Sequence, residues 1–386
     1  MRGFVLSGMA LIAATYGLAR FGYGLFLPRF MEEFGISSAV SGFIQAGSFL
    51  SFCVAAFIAT LVSTHPRRVV MTAGATASLG SLGVALSPNA GVLAVSIVVA
   101  GAGAGFATPG LVTLVQNNVS PQRRENAQTT VNAGTGAGIV IAGLLLFATV
   151  SQWRLGWAAI ALAAAAAAVS TLVTDRSQAQ HPSGGRSPSM SRSHWRALAW
   201  PFAAAILAGA SSAGIWTFGR TIMAETSGGG EVYSVIAWML LGGFGVLGLG
   251  AGHAVHALSL RTAWSSITFA MGAATVVLGS APGSMAAAYV SAAAFGATYT
   301  AVSGLLIVWA ERAVPDRAST GTAALFIALA VGQAAGSAIL GVLLDPASPA
   351  PAFIVAGLFA VLAILPTLLR SEAGLGLTRR AEPAAL

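Results

Sequence analysis

Long apolar runs separated by short polar segments are the main pattern along the chain. A membrane-spanning helix needs about 20 consecutive apolar residues, and we count twelve runs of this kind in the 386 residues. Because the runs are continuous and do not alternate with polar positions, they predict helices and not the strands of a membrane barrel. The predicted spans are residues 4–27, 38–62, 69–86, 91–115, 127–148, 156–173, 198–224, 233–251, 262–279, 285–309, 320–344 and 352–369.

The composition supports a chain that lies in a lipid bilayer. Charged residues make up 8% of the sequence and hydrophobic residues 56%, whereas an average soluble domain has about 25% charged residues. We therefore predict an all-α membrane protein with twelve transmembrane helices, and the composition excludes an ordinary soluble enzyme. The formal net charge is +8, but the basic residues are scattered and form no basic face, so we predict no nucleic-acid partner.

The arginines predict how the chain is oriented. All 19 basic residues are arginines, and 15 of them fall in the termini and in alternate loops on the same side as the N-terminus. Arg29 and Arg154 fall in the loops of the other side, and Arg29 and Glu33 are spaced as an exposed i,i+4 pair. By the positive-inside rule, this asymmetry predicts a multi-pass protein of the bacterial cytoplasmic membrane with both termini in the cytoplasm.

A polar segment divides the chain into two similar halves. Residues 175–196 are rich in Ser, Gly, Pro and Arg, which is typical of a flexible linker. This predicts a six-helix bundle at residues 1–174 and a second one at residues 197–386. The loop motif Pro121-Gln122-Arg123 returns as Pro315-Asp316-Arg317, 194 positions later, and so supports an internal repeat.

The loop after the second span resembles the loop signature of the major facilitator superfamily. It reads ATLVSTHPRR and ends in Arg67 and Arg68, while Ser63 or a neighbour stands where that signature carries its acid. The corresponding loop of the second half ends in Arg261 and also lacks the acid. The resemblance implies two pseudo-symmetric six-helix bundles, a substrate site near the midplane and alternating access. It also implies a gating role for these three arginines.

Two further stretches bear on which branch of the superfamily the chain resembles. The first span contains RFGYGLFLP, which is similar to the R-F-x-Y-x-x-x-L-P segment of a little-characterised bacterial branch. The fifth span has the glycine-rich stretch GTGAG at residues 134–138 and no Gly-Pro step. The missing proline argues against a drug:proton antiporter.

Two arginines fall inside predicted spans. Arg20 shares a helical face with Tyr16 and Tyr23, which are spaced at i−4 and i+3 from it, and Arg220 follows Trp216 by four residues. An intramembrane charge usually marks a functional site, and the planar guanidinium suits carboxylates. We predict that all five residues bind an anionic substrate, although a structural role for Arg20 stays open.

Other polar residues inside spans are candidates for substrate contact or for bridging between helices. Gln45, Asn132, Tyr299 and Gln333 have this position. All acidic residues and histidines fall in loops or at the ends of spans. A cavity that contains Arg20 and Arg220 but no acid would therefore favour an anionic substrate. A coupling proton or a counter-anion stays open.

The leading hypothesis from these residues is a monomeric transporter of a small organic anion of the carboxylate type. It is secondary active or facilitative and needs no cofactor or metal. The sequence shows neither a Cys/His cluster nor a phosphate loop with its lysine, so we predict no enzymatic activity. The alternative is an exporter of amphipathic drugs, in which Arg20 is a structural element.

Overall fold

The twelve predicted spans are helices in the computed structural model. The structure describes residues 2–149, 152–177, 190–226, 230–250, 258–344 and 348–369. Most of the predicted linker (178–189), residues 251–257 of the second-half loop and the C-terminal residues 370–386 lie outside these ranges. In the described part, the helices are α1 Arg2–Phe34, α2 Ser38–Leu61, α3 Pro66–Ala85, α4 Ala90–Asn118, α5 Arg124–Ala148, α6 Trp153–Thr174, α7 Arg192–Glu225, α8 Gly230–Phe244, α9 Leu260–Ser280, α10 Met285–Ala313, α11 Ala318–Leu343 and α12 Ala350–Leu369.

Local sequence sets several of the helix ends. Ser37 and Asn89 accept hydrogen bonds from the backbone N–H groups of Val40 and Val92, and so cap the first turns of α2 and α4. At the end of α1, Gly35 has a φ of 61°, which is left-handed backbone that a residue with a side chain rarely adopts. The apolar runs therefore become helices with ends that polar residues and glycine define.

Eleven helices in the described part are long and apolar enough to cross a membrane by length and hydropathy alone. The exception, α3, has 20 residues and a lower hydropathy because Ala, Gly, Ser and Thr make up much of it. It packs between α4 and α6, as α9 packs between α10 and α12 in the second half. The prediction of an all-α, twelve-helix membrane fold with two related halves is confirmed.

The first span is longer than the sequence suggested. We predicted an end at Leu27, before Pro28, but the proline lies inside a helical segment that continues to Phe34. Proline is tolerated in membrane helices when neighbouring groups bind the carbonyls that it disturbs. Here Pro28 leaves the Gly24 carbonyl without its helical donor, and Arg220 of α7 donates to the neighbouring carbonyl oxygen of Leu25.

The helix ends define two sides of the bundle. Ser7 near the start of α1 bonds Thr174 at the end of α6, which places the N-terminus beside the predicted linker. We call this the linker side. At the other end, which we call the distal side, Glu33 at the end of α1 bonds Arg154 and Trp153 at the start of α6.

The two halves pack against each other through α1 and α7, α2 and α11, and α5 and α8. Two glycines in the distal half of their helices allow this approach. A Cβ atom at Gly24 would collide with the carbonyl oxygen of Trp216, and one at Gly42 with that of Ser337. The described residues therefore bring the halves into backbone contact on the distal side, and they enclose the midplane residues described next.

Candidate functional site

Both helices that carry a buried arginine are interrupted by π-helical turns. Residues Ala13–Arg20 of α1 and Gly214–Gly219 of α7 have this geometry. The first π segment ends at Arg20, and the second ends one residue before Arg220. π-helical turns are rare and are frequent at functional sites. The related positions show that the aromatic-Arg spacing of the two halves corresponds to a shared local structure.

Arg20 lies at the interface between the halves and is surrounded by aromatic rings. Arg20 is only 3% exposed. The guanidinium carbon is 4.0 Å from the ring centroid of Phe52 and 5.0 Å from that of Phe49, both on α2. On α1 itself, the rings of Phe21 and Tyr16 lie at 5.3 and 5.5 Å. Arg20 is therefore held by cation–π contacts in a dry environment.

The hydrogen-bond acceptor of Arg20 is a neutral amide of the opposite half. Arg20 Nη2 donates to Gln333 Oε1 on α11 at 3.2 Å. Gln333 Nε2 in turn donates to Tyr299 Oη at 3.1 Å and to Ser212 Oγ at 3.3 Å. Arg20 Nε has no hydrogen-bond partner, and no carboxylate among the described residues lies within 4.0 Å of the guanidinium. The charge of Arg20 is thus not matched by an acid in this part of the chain.

Tyr16 and Gln45 extend this site in two directions. The Tyr16 hydroxyl bonds Thr108 Oγ1 on α4 at 2.8 Å. Gln45 on α2 is fully buried, and neither of its amide atoms has a hydrogen-bond partner. It precedes Phe49 by one helical turn and Phe52 by two, so the three lie on the same face of α2. An unpartnered buried amide is unfavourable and is a candidate contact for a ligand.

Arg220 has a different environment from Arg20. It is 1% exposed, but its Nη2 lies 2.8 Å from Glu231 Oε1 of α8. Glu231 also pairs with Arg29 of α1, so the carboxylate joins the two halves on the distal side. The structure therefore does not bring Arg220 to Arg20 as a second free cation. The expected Arg29–Glu33 pair was wrong, because Glu33 faces α6 and binds Arg154.

Trp216 and Tyr23 occupy the layer distal to Arg20. The Trp216 ring stacks on Phe21 with 3.9 Å between centroids and contacts the Tyr299 ring edge-on at 5.2 Å. The Tyr23 hydroxyl donates to the backbone carbonyl of Ser41, in a contact between α1 and α2. Trp216 therefore connects the halves beside the Arg20 site, whereas Tyr23 contacts its own half.

Asn132 lies apart from this cluster. It is exposed on α5, and its Oδ1 accepts a hydrogen bond from Gln128 Nε2 at 3.1 Å. Its position one turn beyond Gln128 places it in the linker-side half of α5. The structure brings together Arg20, Tyr16, Gln333, Tyr299 and Trp216, but it does not bring Asn132 to them.

The predicted gating arginines lie at the linker side. Arg67 Nη1 is 2.6 Å from Asp175 Oδ2, and its Nη2 donates to the carbonyl of Leu172. Asp175 also accepts hydrogen bonds from Asn118 and Ser177. The acid that the loop motif lacks is thus supplied from 108 residues later, and the contact ties α3, α4 and α6 of one half together.

These contacts alter the acidity of Asp175, which lies just beyond the end of α6. Burial of the carboxyl raises its pKa, but the hydrogen bonds from Ser177, Asn118 and Arg67 outweigh this effect, so the pKa lies below its ordinary value. Arg68 is exposed at the first turn of α3, and Arg261 lies in the first turn of α9. A gating role for the three arginines stays a prediction.

Sequence reasoning missed several residues of the site. Phe49 and Phe52 lie within a largely apolar run that has phenylalanines on several faces, and only their spacing from Gln45 distinguishes them. Ser212 was hidden among small residues of α7. Glu231 was placed only among the acidic residues of loops and span ends, without its partner, although it follows Arg220 by eleven residues. Polar residues inside apolar runs were visible from sequence, whereas the aromatic partners of Arg20 on α2 and the ionic partner of Arg220 were not.

Comparisons with known proteins agree with the twelve-helix fold. A family model described as Major Facilitator Superfamily matches residues 9–337. No curated protein matches the chain in sequence. Similar solved structures include a bacterial homologue of the human lysosomal transporter Spinster, in an inward-facing and unoccupied conformation, with a TM-score of 0.75, 15% identity and 97% of each chain covered.

Two other solved structures are similar over nearly their whole length. A variant of the peptide transporter POT in complex with sulfate has a TM-score of 0.79 and 15% identity, and the alignment covers 97% of this chain and 95% of that one. A variant of the nucleoside transporter NupG has a TM-score of 0.74 and 12% identity, with 95% and 99% covered. At these identities the likeness shows the fold alone.

Proposed function

The chain belongs to the major facilitator superfamily, and from that premise we propose that this transporter moves a small organic anion of the carboxylate type, with Arg20 as the anion-binding residue. The observation that carries the proposal is the environment of Arg20. Its guanidinium is buried between the halves and donates to a neutral amide. A charge inside the membrane is costly unless a partner compensates it, and a substrate carboxylate is such a partner.

Gln333 supports this proposal because its amide oxygen lies where a substrate carboxylate would accept hydrogen bonds from Arg20. Its Oε1 accepts from Arg20 Nη2, while Arg20 Nε still lacks an acceptor. A carboxylate has two oxygens and accepts two parallel hydrogen bonds from a guanidinium. A substrate carboxylate that replaces the Gln333 oxygen would serve both nitrogens, and it would leave the Gln333 amide group bound to Tyr299 and Ser212.

Alternating access fits the way in which the halves meet. The backbone contacts at Gly24 and Gly42 and the Arg29–Glu231 pair lie on the distal side. We propose that this arrangement is the state closed on the distal side, and that rocking of the halves opens the distal side and gives a substrate access to Arg20. We further propose that the bilayer is the bacterial cytoplasmic membrane, that both termini are cytoplasmic, and that the transporter works as a monomer.

Binding of organic anions to Arg20 variants tests the proposal. The purified full-length chain is screened by thermal shift against carboxylates, amines and neutral solutes, since a ligand of the folded state raises its stability. We expect carboxylates to stabilise the wild type and not Arg20→Gln. Arg20→Lys keeps the charge but loses the planar fork, so we expect it to bind more weakly. Uptake into proteoliposomes should follow the same order.

The same screen tests the alternative of amphipathic drug export, for which the aromatic rings around Arg20 are the supporting observation. Cationic dyes that bind Arg20→Gln as well as the wild type would favour that alternative. Carboxylate binding that Arg20→Gln retains in full would refute the proposed role of Arg20. The stability of the two proteins without ligand is the control, because it shows whether a loss of binding reflects a loss of folded protein.

A further inference from the structure

The charges around the site limit how many negative charges a substrate carries. Of the two arginines inside the spans, Arg220 is matched by Glu231 at 2.8 Å. Arg20 has no carboxylate of the described residues within 4.0 Å. One unmatched positive charge therefore lies at the interface between the halves. A ligand with two negative charges would leave one of them without a partner in a dry site, which is unfavourable.

The groups beside Arg20 limit the shape of the substrate. Phe52 and Phe49 place their ring centroids 4.0 and 5.0 Å from its guanidinium carbon. Phe21 stacks on Trp216, and Trp216 contacts the Tyr299 ring edge-on. Aromatic rings of α1 and α2 thus contact the cation, and rings of α7 and α10 continue the aromatic wall beyond Phe21. The part of a ligand next to its carboxylate would face these rings, and flat aromatic groups pack against such walls better than aliphatic ones.

Gln45 adds a hydrogen-bonding position at a defined distance. It lies four residues before Phe49 on the same face of α2, which is about 6 Å along the helix axis toward the distal side. Its amide is fully buried, and both polar atoms lack partners. The amide has a donor and an acceptor, so it fits an uncharged group such as a hydroxyl. The aromatic ring of a ligand is long enough to extend from a carboxylate at Arg20 to a polar group at Gln45.

From these three observations we infer that the substrate is an aromatic monocarboxylate with an uncharged hydrogen-bonding group opposite its carboxylate. Arg20 binds the carboxylate, Phe49 and Phe52 contact the ring, and Gln45 binds the second group. This inference rests on the proposed function. It narrows the substrate class from organic anions in general to molecules with one negative charge, an aromatic ring and one additional polar group.

A set of matched probes tests the inference on the purified full-length chain by titration calorimetry. The reference probe is 4-hydroxybenzoate. Terephthalate replaces its hydroxyl with a second carboxylate, benzoate removes the hydroxyl, and 4-hydroxycyclohexanecarboxylate removes the aromatic ring. We expect 4-hydroxybenzoate to bind about tenfold more tightly than terephthalate or benzoate. We expect it to bind about three- to tenfold more tightly than the cyclohexane analogue.

Two variants assign these differences to residues. Gln45→Leu should remove the preference for 4-hydroxybenzoate over benzoate. Phe52→Leu removes a ring at similar volume and should reduce the preference over the cyclohexane analogue. Gln116→Leu, at an exposed position on α4, is the matched control and should change neither ratio. If a variant does not fold, the ratios measured on the wild type decide.

The outcomes separate this inference from the proposed function. Equal or tighter binding of terephthalate, or equal binding of the cyclohexane analogue, would overturn the inference. The proposed function would then still stand if binding of these carboxylates needs Arg20. If no carboxylate binds, or if Arg20→Gln binds every probe as the wild type does, both the inference and the proposed function are wrong.

Discussion

Arg20 of α1 and Gln333 of α11 are 313 residues apart in sequence and form a hydrogen bond of 3.2 Å across the interface of the two halves. A buried cation of one half is thus bound to an uncharged amide of the other. An amide oxygen is a weaker acceptor for a guanidinium than a carboxylate is. The pair therefore holds the halves together and leaves the charge of Arg20 available to an anion.

Replacing Gln333 with glutamate tests this relationship. Gln333→Glu preserves shape and places a carboxylate beside Arg20 that competes with a substrate at high effective concentration. We expect carboxylate affinity to fall by about 10- to 100-fold and thermal stability without ligand to rise. Calorimetric titration and thermal unfolding measure the two effects.

The control for this substitution is Gln116→Glu, which adds the same charge at an exposed position of α4 and should leave carboxylate affinity unchanged. Unaltered affinity in Gln333→Glu would show that the substrate does not bind at Arg20.

Glu231 supports a second prediction, because its carboxylate contacts both Arg220 and Arg29. In Glu231→Gln, Arg220 remains buried without its counter-charge. Breaking a fully buried pair costs about 3–5 kcal/mol, and since the Glu231 side chain is 22% exposed, we expect a loss nearer 2 kcal/mol. The distal contact between the halves should also weaken.

Thiol labelling measures that weakening. Cys53 is the single cysteine of the chain, so a Cys53→Ser background with Thr221→Cys, at a buried position beside Arg220, reports distal opening. We expect Glu231→Gln to label faster. Glu32→Gln is the matched control. Glu32 also pairs with Arg29, but it lies on α1 beside Arg29 and is 73% exposed. Equal labelling in both variants would contradict a distal role for Glu231.

The lowered pKa of Asp175 predicts that the stability of the protein depends on pH. Its pKa is lowered in the folded state by hydrogen bonds from Ser177, Asn118 and Arg67, despite burial. A group of this kind adds stability above its unfolded pKa, and that stability is lost as the pH falls through the folded value. The unfolded pKa of an aspartate is about 3.9, so the contribution is complete at neutral pH and is lost progressively as the pH falls below about 4.

Thermal unfolding of wild type and Asp175→Asn tests this sign. We expect the variant to be less stable at pH 7, and the difference to shrink as the pH falls below about 4. Glu125→Gln, at an exposed position in the first turn of α5, should show no comparable difference. A gap between wild type and Asp175→Asn that grows on acidification would refute the assignment.

The sequence predicted the fold better than it predicted the site, for a physical reason. Long apolar runs become membrane helices because backbone groups in lipid must bond within their own segment, and this is a local property. Arg20, Gln333 and Tyr299 were found because polar groups inside apolar runs are rare. The ring of Phe52 beside Arg20 was not found, since α2 carries phenylalanines on several faces and only packing decides which ring meets the cation.

Long-range pairing explains the remaining differences. Arg67 and Asp175 are 108 residues apart, and Arg29 and Glu231 are 202 residues apart. Residues with these separations meet only after the helices have packed. Arg29 was therefore assigned to Glu33, its neighbour along one helix, and the pair that connects the halves could not be identified from spacing.

The close approach at Gly24 gives the final prediction. A Cβ atom there would collide with the carbonyl oxygen of Trp216, so Gly24→Ala forces α1 and α7 apart on the distal side. Overpacking of this kind costs about 1–3 kcal/mol, and here it acts on only one of the two states that alternating access requires. We expect faster labelling of Thr221→Cys in the Cys53→Ser background, together with slower transport of the substrate.

Gly243→Ala is the matched control, because a Cβ atom at Gly243 meets nothing within 4 Å. Unchanged labelling and transport in Gly24→Ala would show that the distal contact of α1 with α7 does not open during the transport cycle.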